Sequence, residues 1–323
     1  MRRRHLLAAS LALASPALAQ EAFPSRPVTV IVPFTAGSAT DAAGRIMAAG
    51  LQEQLGQPVT IDNRTGAGGS VGTGAAARAR PDGYTLVVAV TSTVAVNRAL
   101  YRNLGFDPWK DFAPIGVAGF APNILMVPGE SPFGTVRDLL ARGRDTGKPA
   151  LRYFSGGTGS SQHLAAVLLV ERSGIRAEHI PYRGPPEGIA ALLAGQIEFG
   201  FSTPAPILGL TREGKLRALA VGGPSPHPAM PEVPLLKDLG FPDFAETDPF
   251  FGLMGPKDMP VAVVARLRAA FTAAMAEPTL RQRLQQAGFR PAEPMDGPAL
   301  DRFMERQVNL WAPLVQASGA KVE

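Results

Sequence analysis

Two stretches of the chain concentrate the groups that hold a small anion. The first follows the apolar run Val28-Thr29-Val30-Ile31-Val32-Pro33-Phe34 and reads Thr35-Ala36-Gly37-Ser38-Ala39-Thr40-Asp41. The second follows Leu151-Arg152-Tyr153-Phe154 and reads Ser155-Gly156-Gly157-Thr158-Gly159-Ser160-Ser161. Each puts a glycine- and hydroxyl-rich turn between a strand and a helix. Such a turn aims backbone N–H groups at one point, at the positive end of a helix dipole. The chemistry is non-covalent capture of negative charge. Two such turns, far apart in sequence, imply two lobes closing on one small anionic ligand. Candidate contacts are Phe34, Thr35, Ala36, Gly37 and Ser38 from the first turn, and Ser155, Gly157, Thr158, Gly159, Ser160 and Ser161 from the second.

Several side chains around the turns have two readings. Asp41 either caps its helix or faces the cleft, where it would pair with an ammonium or hydroxyl of the ligand and repel a carboxylate. Ser160 and Ser161 either cap a helix or donate to the ligand. His163, in the first turn of that helix, is either a packing residue or a donor to the anion. Thr91 and Ser92 at one strand end, Thr203 at another, and Tyr182 with Gly184 are further lining candidates. Asn63-Arg64-Thr65-Gly66-Ala67-Gly68-Gly69 is one more turn before a helix, with Arg64 placed outside the cleft.

There is no phosphate-binding loop. Gly72-Thr73-Gly74 falls inside a helical stretch rather than after a strand, so it is no dinucleotide fingerprint. The histidines His5, His163, His179 and His227 show no metal-ligand spacing, and no cysteine occurs. No cofactor is expected. A secreted hydrolase or isomerase would instead show turnover lost in Asp41→Asn or His163→Ala. A surface scaffold would show no stabilising ligand at all.

The elements that position the turns follow from the hydrophobic pattern. Strand-like runs are expected at 28–33, 58–62, 85–91, 124–128, 151–155, 178–182, 197–202, 216–222 and 250–255. Helices are expected at 40–55, 69–79, 135–143, 161–173, 186–194, 261–275, 279–287 and 298–317. Thr40 or Asp41 can start the first helix and Gly56 can end it. In the last helix Leu300, Phe303, Met304, Trp311, Leu314 and Val315 form a stripe that reads as core. The alternation implies mostly parallel α/β sheets, whose ligands bind outside the carboxyl ends of strands. Both turns lie at such ends.

The chain has 323 residues, room for two lobes. Residues 1–19 read as an export signal: Arg2-Arg3-Arg4-His5, the apolar Leu6 to Leu13, then Ala17-Leu18-Ala19 before a new N-terminus at Gln20. The apolar run is shorter than the roughly 20 residues of a membrane span. The net charge of +5 falls to +2 without those three arginines, and no basic run interleaved with aromatics remains, which argues against nucleic-acid binding.

Further segments carry a resemblance: Pro33-Phe34-Thr35-Ala36-Gly37 with Asp41 and Arg45, Asn63 to Gly69, and Pro81-Asp82-Gly83-Tyr84-Thr85-Leu86. They continue with Gly157-Thr158-Gly159-Ser160 and His163, Pro181-Tyr182-Arg183-Gly184, and Gly214 to Ala220. In this order and spacing, over about residues 24–320, the chain resembles the Bug or TctC family of substrate-binding proteins of tripartite tricarboxylate transporters. The resemblance implies a periplasmic, type II periplasmic binding protein fold that closes on a carboxylate, partly through ordered water. It also implies lobes at 20–122 plus 242–323 and at 123–241. The expected partners are a small organic carboxylate and membrane transporter subunits or a sensor, with the protein itself a monomer. Ser38 stands where the family often has a second glycine, and Leu235 follows Pro234 where threonine is usual.

Overall fold

The computed structural model describes residues 23–245 and 247–317, so the expected export signal lies outside the described residues. In chain order the strands are β1 (Val28–Val32), β2 (Val59–Asn63), β3 (Thr85–Val90), β4 (Phe112–Phe120), β5 (Ile124–Pro128), β6 (Leu151–Ser155), β7 (Ala177–Pro181), β8 (Phe199–Ser202), β9 (Leu216–Val221), β10 (Phe250–Pro256) and β11 (Arg290–Pro291). The helices are α1 (Ala39–Leu55), α2 (Ser70–Ala77), α3 (Asn97–Leu100), α4 (Val136–Arg144), α5 (Ser161–Ser173), α6 (Pro185–Leu193), α7 (Leu208–Arg212), α8 (Val261–Ala276), α9 (Pro278–Gln286) and α10 (Gly297–Ala317). No helix among the described residues is long and apolar enough to cross a membrane.

Among the described residues the strands form a six-stranded sheet, β11-β4-β10-β3-β1-β2, and a five-stranded sheet, β7-β6-β8-β5-β9. Apart from the two-residue edge strand β11, the two orders are the same. Each begins with a parallel trio, β2-β1-β3 or β7-β6-β8. Each then takes one antiparallel strand, β10 or β5, from after a crossing between sheets. The fold is therefore two α/β halves built alike. The strand-end rule puts the loops after β1 and β6 at equivalent places in the two halves.

Local sequence accounts for this. β1 is a continuous apolar run because helices cover both faces of the sheet. Val30 and Val32 join the core under α1 and α8, and Ile31 joins the core under α10. Leu300, Phe303, Met304 and Trp311 of α10 are buried, as their spacing requires. Strand β4 escaped the pattern reading because Pro114, Gly116 and Gly119 interrupt it. Those glycines have a packing reason. A side chain at 116 would enter the Phe271 ring of α8, and one at 119 would meet the Arg290 carbonyl. Residues 91–100 are helical, a wide turn over Ser92–Val96 leading into α3. Their β-branched composition hid that.

The chain leaves the first sheet between Phe120 and Ile124 and returns between Val221 and Phe250. The crossings are bonded to each other, Ala121 N–H to Pro249 O at 3.0 Å and Gly222 N–H to Asn123 O at 2.8 Å. Asp248 lies in the returning segment with its side chain 12% exposed. Its carboxylate accepts a 3.4 Å bond from Arg290, whose guanidinium sits 4.5 Å over the Phe120 ring at the other crossing. Burial pushes the Asp248 carboxyl up to about 6, against the pull of Arg290. The folded state thus binds a proton more tightly than the unfolded chain. Ionisation costs nothing below pH 4, and its full cost is present above pH 6. Asp248→Asn is expected to stabilise the protein at pH 7.5 by about 2 kcal/mol, and to leave it unchanged near pH 3.5. Urea unfolding at the two pH values checks this; equal stabilisation at both would contradict it.

Candidate functional site

The two turns are built alike to the level of single hydrogen bonds. In the first, Gly37 is left-handed (φ 79°) and Ser38 is the N-cap of α1, its hydroxyl accepting from Asp41 N–H at 3.2 Å. The Asp41 carboxylate folds back and accepts from Gly37 N–H at 3.0 Å. In the second, Gly159 is left-handed (φ 81°) and Ser160 caps α5, accepting from His163 N–H at 3.3 Å. His163 Nδ1 then accepts from Gly159 N–H at 3.2 Å. The common pattern is Gly-Ser-x-x-acceptor, a capping box shifted outward by one residue. It corrects the expectation that Thr40 or Asp41 starts α1.

This settles how several side chains are used. Asp41 also accepts from Arg45 and from Asn63, both at 3.0 Å. Burial raises its carboxyl, but the bonds from Arg45, Asn63 and Gly37 outweigh that and hold it below the ordinary carboxylate range. Asn63 also donates to Phe34 O at 3.0 Å, fixing the start of the turn. His163 is stacked on His179, ring centroids 4.1 Å apart, and burial pushes its imidazole down to about 4. It is a neutral support of the turn. Ser155 holds the loop from below, with its Oγ 2.7 Å from His179 Nε2 and accepting from Gly157 N–H at 3.2 Å.

With the caps so arranged, the N–H groups of Ala39 and Thr40 on α1, and of Ser161 and Gln162 on α5, have no intrahelical acceptor. These residues, with Phe34, Ser38, Thr91, Ser92 and Pro185, line one small cavity of about 20 Å³ between the helix starts. That is room for a water-sized polar group. Thr91 Oγ1 already accepts from Phe250 N–H at 2.9 Å, so its proton is free to donate. A neighbouring cavity of about 280 Å³ shares Phe34 and is lined by Gly156, Gly157, Tyr182 and Arg183 from one half and by Gly66, Ala67, Gly68 and Gly69 from the other. A larger concavity of about 910 Å³ lies wholly among residues 129–239, so it cannot join the two halves.

Of the residues expected at the site, Phe34, Ser38, Thr91, Ser92, Gly157, Ser161 and Tyr182 line one cavity or both. Thr35 touches Gly184 across the halves, and Gly37 faces Pro186. Thr158 O accepts from Tyr101 Oη at 3.3 Å, another contact between halves. Ala36 is exposed at the rim, while Gly159, Ser160, Asp41, His163 and Ser155 act behind the lining. Thr203 is buried and lines neither cavity. Sequence reasoning missed the 66–69 loop as lining. Its signal was the glycine density itself: Gly66, Ala67, Gly68 and Gly69 all have positive φ. Arg64, beside them, is paired with Asp62 at 2.8 Å.

Residues 43–320 match the family described as tripartite tricarboxylate transporter family receptor. The chain is 36% identical over 319 residues to the UPF0065 protein in the tcbD-tcbE intergenic region of Pseudomonas sp. (strain P51), covering 97% of this chain and 94% of that protein. The periplasmic binding protein BugD has the same fold, with a TM-score of 0.88 and 30% identity over 93% of this chain and all of that one. An R. palustris protein solved with adipate matches equally, with a TM-score of 0.88, 30% identity and the same coverage.

Proposed function

The chain belongs to the tripartite tricarboxylate transporter receptor family, a family of substrate-binding proteins and not of enzymes, and from that premise we propose that it is an exported receptor for a small organic carboxylate. The ligand is held between two lobes, at 20–122 plus 242–323 and at 123–241. The turn Pro242–Ala245, inside the range given to the first lobe, packs on the second, with Phe244 5.9 Å from Phe201, so the return to the first lobe falls after that turn. One observation carries the reading: two helix starts with the same Gly-Ser-x-x-acceptor cap share the small cavity between the lobes. A carboxylate oxygen seated there takes N–H bonds from Ala39 and Thr40 on one side and from Ser161 and Gln162 on the other. The hydroxyls of Thr91 and Ser92 add donors.

Binding both starts at once stabilises the closed arrangement over the open one, because only the closed form offers all the donors. The closed receptor, a monomer in the periplasm cleaved after Ala19, hands its ligand to a membrane transporter partner. Thermal shift against mono-, di- and tricarboxylates, amino acids and aromatic acids tests the reading. At least one carboxylate is expected to raise the melting temperature progressively with concentration. A panel in which no carboxylate does so, while the protein remains folded, removes it.

A further inference from the structure

We propose that the first half carries a second ligand site, away from the cleft, for a free aromatic amino acid. A pocket of about 170 Å³ between the start of β4, the end of β10 and α10 takes the ring. Lys257 and Asp301, also lining it, take the carboxylate and the ammonium. No residue of 123–241 lines this pocket, and it shares none with the cavities at the helix starts. The site goes beyond the receptor reading and stands without it.

The pocket walls belong to the core. Val94, Phe112, Met254 and Met304 are 2–4% exposed, yet they border open space. Atoms at such a gap lack partners on one side, and a ring seated there restores the contacts. The volume suits a six-membered ring, since an apolar cavity of about 150 Å³ holds benzene. Half-buried Trp109 completes the wall. Aromatic faces and methionine sulfur favour an aromatic guest. Trp109 is fixed by its own turn. Its backbone N–H donates to Asp107 Oδ1 at 2.9 Å, and Asp107 N–H donates to Asp111 Oδ2 at 2.7 Å. Lys257 N–H donates to Asp111 O at 2.9 Å, which ties that turn to the end of β10. The pocket is therefore formed before any ligand arrives.

The charges at its mouth select the guest. Lys257 and Asp301 are exposed, and their side chains make no hydrogen bond or ion pair among the described residues, not even with each other. An aromatic acid or an aromatic amine satisfies one of them and brings a like charge toward the other. An α-amino acid carries ammonium and carboxylate on one carbon and satisfies both. Asp301 and Met304 are three residues apart on one face of α10, so ammonium and ring meet the same helix.

Titration of the purified protein with phenylalanine, read by calorimetry and by intrinsic fluorescence, tests this. Trp109 is the reporter, because the second tryptophan, Trp311, is buried in a separate cluster with Leu164. Saturable binding with a fluorescence change is expected. 3-Phenylpropionate, which lacks the ammonium, and phenethylamine, which lacks the carboxylate, should each bind about fivefold more weakly, the size of one ion pair open to solvent. Lys257→Ala should bring phenylalanine to the level of phenethylamine, and Asp301→Ala to the level of 3-phenylpropionate. Both side chains are exposed, so both variants should fold as wild type does. No response to phenylalanine, or an affinity unchanged in both variants, overturns the site. N-Acetylphenylalaninamide binding as tightly as phenylalanine overturns the amino acid as ligand and gives the pocket to an aromatic side chain of a partner protein.

Discussion

Gly68→Ala is expected to weaken carboxylate binding by about a hundredfold while the unliganded protein still folds. The reason is a contact between halves. A Cβ at 68 would collide with the Thr158 carbonyl oxygen, a backbone atom of the opposite loop that cannot swing aside. Asn97 fixes the near side by donating to Gly68 O at 3.0 Å, so the loop cannot retreat either. Overpacking of this kind costs about 1–3 kcal/mol, and the left-handed φ of 60° adds roughly 1 more for a residue with a side chain. A total of about 3 kcal/mol corresponds to two orders of magnitude in affinity. Ala67 is the internal control. It already carries a side chain at φ 47°, so the loop tolerates left-handed residues where the opposite lobe does not approach. Ala67→Gly should change affinity less than threefold. Calorimetry with a carboxylate that binds wild type decides the matter, and small-angle scattering shows whether the variant still closes. Wild-type affinity in Gly68→Ala would mean that the closed contact is not part of binding.

Much of this site could be read from the chain before any coordinates. The strand–turn–helix repeats at 28–41 and 151–163 are local features, and local chemistry writes them. Apolar runs make the strands, glycine permits the left-handed turn and serine satisfies the first N–H groups. What could not be read is how the side chains divide the work. Ser38 and Asp41 are both good caps in isolation, and only the geometry of the turn, with Asn63 arriving from β2, decides that serine caps and aspartate braces. His163 and Asp41 occupy the same position in the two turns although one is a base and the other an acid. Both serve because each offers an acceptor at the right reach. The 66–69 loop was seen as a turn but not as a wall of the cleft, because its role comes from the approach of a segment about ninety residues away. β4 was missed because its glycines answer to Phe271 and Arg290, distant neighbours that no periodicity reveals.

Acid is expected to destabilise the protein steeply between pH 6.5 and 4, and the cause lies beneath the second turn. His163 and His179 stack face to face, and Tyr153 stacks on His179 at 5.2 Å. Burial pushes His163 down to about 4, and burial with the neighbouring His163 pushes His179 down to about 3. Both imidazoles are therefore neutral in the folded state at pH 7. The unfolded chain, with ordinary histidines near 6.5, binds protons that the folded state refuses. The contribution of the pair is complete above pH 6.5 and is lost as pH drops toward 4, by about 3 kcal/mol for His163 alone, against a smaller opposite gain as Asp248 takes up its proton. The two histidines share one environment, so a proton on either disfavours the other. Protonation of His163 at Nδ1 would also break its bond from Gly159 N–H and loosen the turn, so carboxylate affinity should fall over the same range. His179→Phe keeps an aromatic ring between Tyr153 and His163 but removes one titrating group and its repulsion. Its stability should therefore depend less on pH than that of wild type. Urea unfolding from pH 7.5 to 4.5 gives the comparison, and groups common to both proteins, Asp248 and His227 among them, cancel in the difference. Parallel profiles for the two proteins would show that the buried pair does not set the acid limit.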